Sequence, residues 1–287
     1  MAKMNVVNAL GMVTSDPLID LDENGNPKRA NLFLSLASAD RENGLSDSKI
    51  FYTTPFVYTE DPAIAAKMNT WKKNDIVLMT GAITTLDAKR GSICPHCGHK
   101  MQRDGEVSFV TPIFADVLYS NLEEKEALQI LNDKREVSNR VYLMGTLCAD
   151  VNARKESGIY RDVINQLPYH GVSAFQIAVG RKFYVKGDQP TNRTDFPHII
   201  SIGEHAKYDP MCIHKGSLVG VEGMLVTREF RRQRVCEKCS KEYEWPEKVL
   251  EVLTYGTEYL RDYITPEEAE KAEKEKFESE KNRIFES

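Results

Sequence analysis

An internal repeat constrains this chain more than any other sequence feature, because self-similarity at a fixed spacing sets the architecture before single elements are read. Residues 5–17, NVVNALGMVTSDP, and residues 139–150, NRVYLMGTLCAD, share an Asn, a Val two positions later, a Gly six later and an Asp eleven later, at an offset of 134. Further on, DIVLMTGAITTL (75–86) parallels SLVGVEGMLVTR (217–228) at an offset of 142, with Gly81 against Gly223 and Thr85 against Thr227. An insertion of eight residues within the second copy reconciles the two offsets, and a surface loop accepts such an insertion at least cost.

Each copy reads as five short strands of alternating or β-branched residues bounded by Gly, Pro, Asn and Asp. The expected strands are 5–13, 29–38, 49–58, 75–88 and 106–119, then 139–149, 172–183, 195–203, 217–234 and 248–260. A short helix, 61–73 or 205–213, separates the third strand from the fourth. Three strands, a helix and two strands is the OB-fold layout. The predicted fold is mainly β: two tandem OB-fold barrels, at 1–121 and 139–263, each with a zinc-ribbon-like arm between its fourth and fifth strands. A helical connector (122–138) and a charged helical tail (264–287) complete the chain. The tail opens with TPEE, a capping box with Pro at the first helical position. Its few apolar anchors favour a solvated extension over a partner-binding helix.

Composition bounds the function classes. No apolar run approaches the roughly 20 residues that span a bilayer, and MAKMNVVNAL lacks the layout of a signal peptide, so a cytoplasmic protein without a membrane partner is expected. The net charge of -5 weighs against a nucleic-acid partner only until its distribution is read. Residues 264–287 carry 5 Lys and Arg against 8 Asp and Glu, whereas residues 139–263 carry 18 against 16.

Six cysteines in 287 residues are too few for a disulfide scaffold, and four of them form two CxxC pairs. Cys94 and Cys236 each lie thirteen residues after the repeated glycine, in CPHCGH and CEKCSK. Each resembles a zinc-ribbon knuckle and supplies two of the four thiolates that structural zinc takes. If the copies pack about a local two-fold axis, Cys94, Cys97, Cys236 and Cys239 meet in one shared site, giving one structural zinc per chain. Two separate sites completed by His96 or His99 are the alternative. A redox dithiol is the other, although the βαβ context of thioredoxin-like proteins is missing. Cys148 and Cys212 read as buried, inert thiols.

The second copy resembles the bacterial single-stranded DNA-binding protein family through NRVYLMGTLCAD, VSAFQIAVGRKF, TDFPHIISIG and GSLVGVEGMLVTREF, in family order and spacing. The first copy resembles it less closely, through NVVNALGMVTSDP, RANLFLSLAS and VLMTGAI. The resemblance implies sequence-tolerant binding of single-stranded DNA, with RNA as an alternative ligand, in replication, recombination or mobile-element transfer. It also implies an assembly of four OB folds, here a homodimer. The chain ends KNRIFES where the family carries an acidic tail ending in Pro-Phe. Recruitment of repair and replication enzymes through such a tip is therefore not expected, and the tail's partners are unknown.

Phe183, Phe196 and Phe230 fall where the family motif carries stacking tryptophans. Around them lie Arg181, Lys182, Lys186 and Arg193, and the run REFRRQR with Arg228, Arg231 and Arg232. Alternation places Arg228, Phe230 and Arg232 on one face of a strand. In the first copy the matching candidates are Phe33, pointing away from Leu32 and Leu34, and Phe51, with Arg29, Lys49, Lys89 and Arg90. For any single phenylalanine, core packing is the alternative. Trp71 is expected to cap the barrel core. No HExxH, P-loop, Ser elbow or paired-acid motif supports an enzyme. The functional alternative is an OB-fold scaffold that binds protein partners in a nucleic-acid-processing complex.

Overall fold

The computed structural model describes residues 4–39, 50–154, 171–181 and 194–285. The first repeat comprises β1 (Met4–Val13), β2 (Leu18–Leu21), β3 (Pro27–Ala39), β4 (Ile50–Thr53), β5 (Phe56–Thr59), α1 (Pro62–Met68), β6 (Ile76–Ile93) and β7 (Lys100–Tyr119). β1 runs antiparallel to β6, β6 to β7, and β7 lies parallel to β5 at Val57↔Val110; β5 pairs β3, which returns to β1 at Met12↔Ser35. That circuit is a closed five-stranded barrel. α2 (Glu124–Asp133) and α3 (Arg135–Ser138) follow it.

The second repeat retraces the circuit. It comprises β8 (Asn139–Leu147), β9 (Asn152–Arg154), β10 (Val172–Gly180), β11 (Thr194–Asp195), β12 (His198–Ile202), α4 (Gly203–Cys212), β13 (Ile213–Val235) and β14 (Glu242–Tyr263). β8, β13, β14, β12 and β10 close on β8 again, with the parallel pair at Ile199↔Val252. The fold is therefore two OB folds in tandem. Three features differ from the sequence expectation. The short strands β2 and β9 pair with β3 and β10, the expected strand 49–58 divides into β4 and β5, and the arms are longer, with β6 running to Ile93 and β7 and β14 starting at Lys100 and Glu242, while β13 ends at Val235 as expected. Beyond the barrels the arms bury few apolar side chains, such as Met101 and Tyr243, and several polar ones, such as Ser92 and Arg234, so their sequence loses the apolar alternation by which strands are recognised.

Inward positions of both barrels form one core: Val7, Leu34, Leu36, Val57, Met79 and Val110 in the first, and Val141, Leu143, Ile177, Ile199, Val221 and Val252 in the second. Full burial of such side chains stabilises by about 1.5–3 kcal/mol each. Trp71, 2% exposed, plugs the first barrel just beyond α1. Pro62 opens α1, and the Asp61 carboxylate accepts from the Ala63 amide at 2.8 Å. The repeated glycines mark barrel corners. A Cβ on Gly81 would meet the Thr111 carbonyl oxygen at 2.6 Å, and one on Gly223 would meet that of Leu253. Both sit at register shifts, where the strand bends to close the sheet.

β1 and β8 pair antiparallel, so among the described residues the strands form one 14-stranded sheet. Val7 lies opposite Val141, its own repeat counterpart, and that register maps onto itself when the copies are exchanged. A local two-fold axis therefore passes between these valines. Asn5 and Asn139 show the same symmetry. Asn5 donates to the Ile83 carbonyl at 2.8 Å and accepts from its amide at 2.9 Å, and Asn139 does the same with Leu225, both bonds at 2.9 Å. Each also crosses to the other copy, Asn5 to Asp195 at 3.2 Å and Asn139 to Ser38 at 2.9 Å.

The tail is helical as expected, α5 (Pro266–Phe285). Its capping box is present: the Thr265 amide donates to Glu268 at 3.0 Å and the Glu268 amide to Thr265 Oγ1 at 3.3 Å. Glu270 anchors the first turns to α4 through Lys207 at 3.2 Å and Tyr208 at 2.9 Å, while residues 271–279 are exposed. No helix among the described residues is long and apolar enough to cross a membrane.

Candidate nucleic-acid interface and metal centre

The two-fold axis brings the β6–β7 and β13–β14 arms together at their tips. Each tip is the same tight knuckle. The Cys94 amide donates to the His99 carbonyl at 2.9 Å and that of Gly98 to Cys94 at 2.9 Å; Cys236 and Ser240 repeat this at 3.0 and 2.8 Å. Gly98 and Ser240 have φ of 70° and 55°, the left-handed turn that points both sulfurs of a knuckle inward. Cys94 Sγ lies 3.7 Å from Cys239 Sγ, and Cys97 Sγ lies 3.6 Å from Cys236 Sγ. All four sulfurs fall within 4.8 Å of one another. Tetrahedral coordination with metal–sulfur bonds of about 2.3 Å spaces sulfurs by about 3.8 Å, so the four cysteines fit one metal ion. His96 Nε2 instead faces the Glu242 carbonyl at 3.3 Å.

The thiols are electrostatically tied. Burial opposes ionisation of Cys236, yet the amides of Cys239 and Lys238 and the thiols of Cys239 and Cys97 outweigh it and bring the group down to about 6. For Cys97 the His99 amide favours the thiolate, but burial and the thiols of Cys236, Cys239 and Cys94 push it up to about 12. A thiolate that accepts from its neighbours holds their protons in place. A divalent cation is what allows all four to ionise together.

Below the tips, the second arm walls a groove of ≈ 720 Å³ against the first barrel. The barrel side is aromatic. Phe33 and Phe56 have ring centroids 5.2 Å apart, Phe56 stacks on Tyr58 at 6.4 Å, and Phe109 meets Tyr58 edge-on at 5.5 Å. Trp245 and Pro246 line the opposite wall. Burial, with the hydrogen bond from its hydroxyl to Glu60, pushes Tyr58 up to about 12, so its ring stays neutral. Deeper in, Arg90 at 3.4 Å, Arg232 at 3.5 Å and Arg234 all reach the buried Glu247 carboxylate. Arg90, Arg234 and Lys248 line the groove against Glu60 and Glu247, which leaves it mildly positive, while Arg232 lines the far side with Glu106 and His198. Phe230 sits under two more cation contacts, Arg228 at 5.0 Å and Arg232 at 5.6 Å from its centroid.

The sequence candidates divide. Phe33 is 43% exposed, with Leu32 and Leu34 buried on either side, as alternation requires. Arg90, Arg228, Phe230 and Arg232 gather on the arms, and Lys89 is exposed beside them. Arg228 is also held by Glu251 through bonds of 2.9 and 2.7 Å, Arg231 by Glu244 at 3.4 Å, and Arg29 by Glu60 at 3.2 Å. One candidate needs correction. Arg181 is an interior residue, 5% exposed and ion-paired with the buried Asp195 at 2.5 Å. Phe51 is half-buried, one side packed across the repeat junction against the cluster of Val172, Ile200, Met224 and Leu253. Phe196 is 37% exposed, its amide donating to Thr85 Oγ1 at 2.9 Å. Lys49, Lys182, Phe183, Lys186 and Arg193 lie outside the described residues. Sequence reading leaves Phe56 and Tyr58 without an assignment and misses Phe109 and Trp245. Only Phe56 and Tyr58 left a signal, flanking the buried Val57 at the strand period.

Cys212 is buried as expected, and Cys148 is half-buried; burial raises both thiols.

No protein-family model and no curated protein sequence matches the chain. Solved structures do. The wild-type single-stranded DNA binding protein from Thermus aquaticus is 17% identical, with a TM-score of 0.54, over 92% of this chain and 97% of that one. A deletion mutant of the same protein is 18% identical, with a TM-score of 0.55, over 93% and 98%. Both repeats are needed to reach such coverage, so over its two OB folds together the chain has the fold of the Thermus aquaticus single-stranded DNA binding protein.

Proposed function

We propose that the chain binds and protects single-stranded DNA in the cytoplasm without sequence preference, during replication, recombination or mobile-element transfer, and that it acts by binding rather than catalysis. The aromatic, positively charged groove between the first barrel and the second arm carries this reading. Rings supply flat surfaces on which any base stacks, and guanidinium groups supply phosphate partners. The fold shared with the Thermus aquaticus protein supports it.

One zinc ion per chain is part of the proposal, held by Cys94, Cys97, Cys236 and Cys239. With four thiolates it has no open position, so its chemistry is structural: it joins the arms that wall the groove. A homodimer, giving four OB folds, completes the proposed binding unit.

The test is a titration of fluorescent oligo-dT at increasing salt, with an RNA oligonucleotide in parallel. The logarithm of the affinity is expected to fall linearly with the logarithm of salt, by about 0.7 per phosphate contact. Absence of binding at low salt would overturn the reading and favour a scaffold for protein partners.

A further inference from the structure

The two barrels are built alike but present opposite chemistry at equivalent places. On the first, β3 and β5 set Phe33 opposite Phe56 and Asn31 opposite Tyr58. At the same points of the second, β10 and β12 set Gln176 opposite His198 and Ala174 opposite Ile200. Phe109 has Glu251 as its counterpart 142 residues on. Each aromatic of the first groove is thus matched by a residue that offers no ring of comparable stacking area, except the imidazole of His198.

The arms exaggerate the difference. The first arm lays Glu106 over the second barrel, its carboxylate 3.4 Å from both Gln176 Nε2 and His198 Nε2. The counterpart of Glu106 on the second arm is Lys248, which lines the first groove. Lys248 pairs with Glu229 at 2.5 Å, but both side chains are exposed, and such a pair is easily exchanged for a phosphate. At this one pair of equivalent positions a carboxylate repels a polyanion and a lysine attracts it; Arg90, Arg103, Arg232 and Arg234 line the space beside Glu106 as well, so the larger difference between the faces is in stacking surface.

We propose that the two repeats are not equivalent sites: the strand is held on the first barrel, its bases stacked on Phe33, Phe56 and Tyr58 with Trp245 of the second arm against them. The second barrel contributes its arm as a wall, and its own equivalent face makes no comparable contact. The assignment rests on the single-strand-binding reading.

The chain has two tryptophans, and Trp71 is buried in the first barrel. A Trp71→Phe variant therefore makes Trp245 the sole fluorescent reporter. Saturating oligo-dT is expected to quench it, along the same isotherm that the anisotropy of labelled oligo-dT gives for the unmodified protein. By anisotropy, Phe33→Ala and Phe56→Ala should each weaken binding about fivefold to a hundredfold, the range for one base stacked on a ring. Gln176→Ala and His198→Ala should leave it unchanged. Phe33→Leu and Phe56→Leu keep apolar bulk if the alanine variants fail to fold, and they should show the same direction of loss. Trp245 emission unmoved by bound oligo-dT, or a loss in the Gln176 and His198 variants equal to that in the phenylalanine ones, overturns the assignment. If the unmodified protein binds no oligo-dT at low salt, the functional reading falls and takes the site with it.

Discussion

Asn5 and Asn139 use one amide side chain to do the work of a missing backbone ladder. Each satisfies both polar groups of a buried residue on the neighbouring strand and spends its remaining hydrogen on the other copy. Removing the amide leaves several interior donors and acceptors unpaired, at about 1–3 kcal/mol each. Asn5→Ala is therefore expected to lower unfolding stability by about 2–5 kcal/mol. Asn8→Ala, three residues along the same strand on its outward face, removes one half-buried hydrogen bond from Thr80 at 3.0 Å and should cost no more than about 1 kcal/mol. Equal losses in denaturant melts would show that the clasp does no more than a surface amide. Phe230 makes the second residue-scale case. Its ring carries the guanidinium groups of Arg228 and Arg232, so Phe230→Ala and Arg232→Ala should each weaken oligo-dT binding while the thermal melt stays in place. Affinity unchanged in both would remove this edge of the arm from the binding surface. Arg181 shows why charge alone misleads: its sequence neighbourhood is basic, but its partner Asp195 lies fourteen residues away across a β pairing that no local pattern reveals.

Arms are the elements on which sequence and structure agree most and differ most. The shared cysteine cluster was readable because both pairs occupy one repeat coordinate and each offers half a coordination shell; two-fold symmetry then leaves the tips one place to meet. The groove beneath was not readable. Its walls come from β3, β5 and β7 of one copy and β14 of the other, so Phe33, Phe56, Phe109 and Trp245 are separated by long stretches of chain and share no motif. The same geometry makes the four-thiol cluster a joint property of both arms, so a metal held there would bridge them. Elemental analysis of purified protein is expected to give about one zinc per chain, the count for a four-thiolate site. Changing Cys94 and Cys97 to Ser should abolish bound zinc, not halve it, because Cys236 and Cys239 alone offer two ligands. Limited proteolysis should then cut both arms while the barrels stay folded, and oligo-dT affinity should drop as the groove wall loosens. Two zinc ions per chain, or full zinc retention by the serine variant, would replace the shared clasp with separate sites.

At the scale of the whole molecule, the β1–β8 pairing does more than join two barrels. It makes β7, β6, β1, β8, β13 and β14 one continuous sheet whose outer face crosses both repeats. Residues paired across strands share a face, so Leu78 and Phe114 stand on it with Leu118, and Val6 with Tyr142. Leu78, Phe114, Leu118 and Leu260 are each between 38% and 48% exposed, and Leu118 and Leu260 are repeat counterparts. Leu118 and Leu260 repeat about the two-fold axis, whereas Gly220 and Gly256 stand at the counterparts of Leu78 and Phe114; a repeated leucine at each end of the face is suited to a copy of the chain, since closed homo-oligomers pair like with like. The expectation is a homodimer, twice the 32.6 kDa of one chain, by light scattering at micromolar concentration. Leu118→Glu with Leu260→Glu should convert it to a monomer, because unpaired carboxylates in an apolar contact are costly to bury. A monomeric mass for the unmodified protein, both free and with oligo-dT, would leave the sheet face without this role and make the two-barrel chain the complete binding unit.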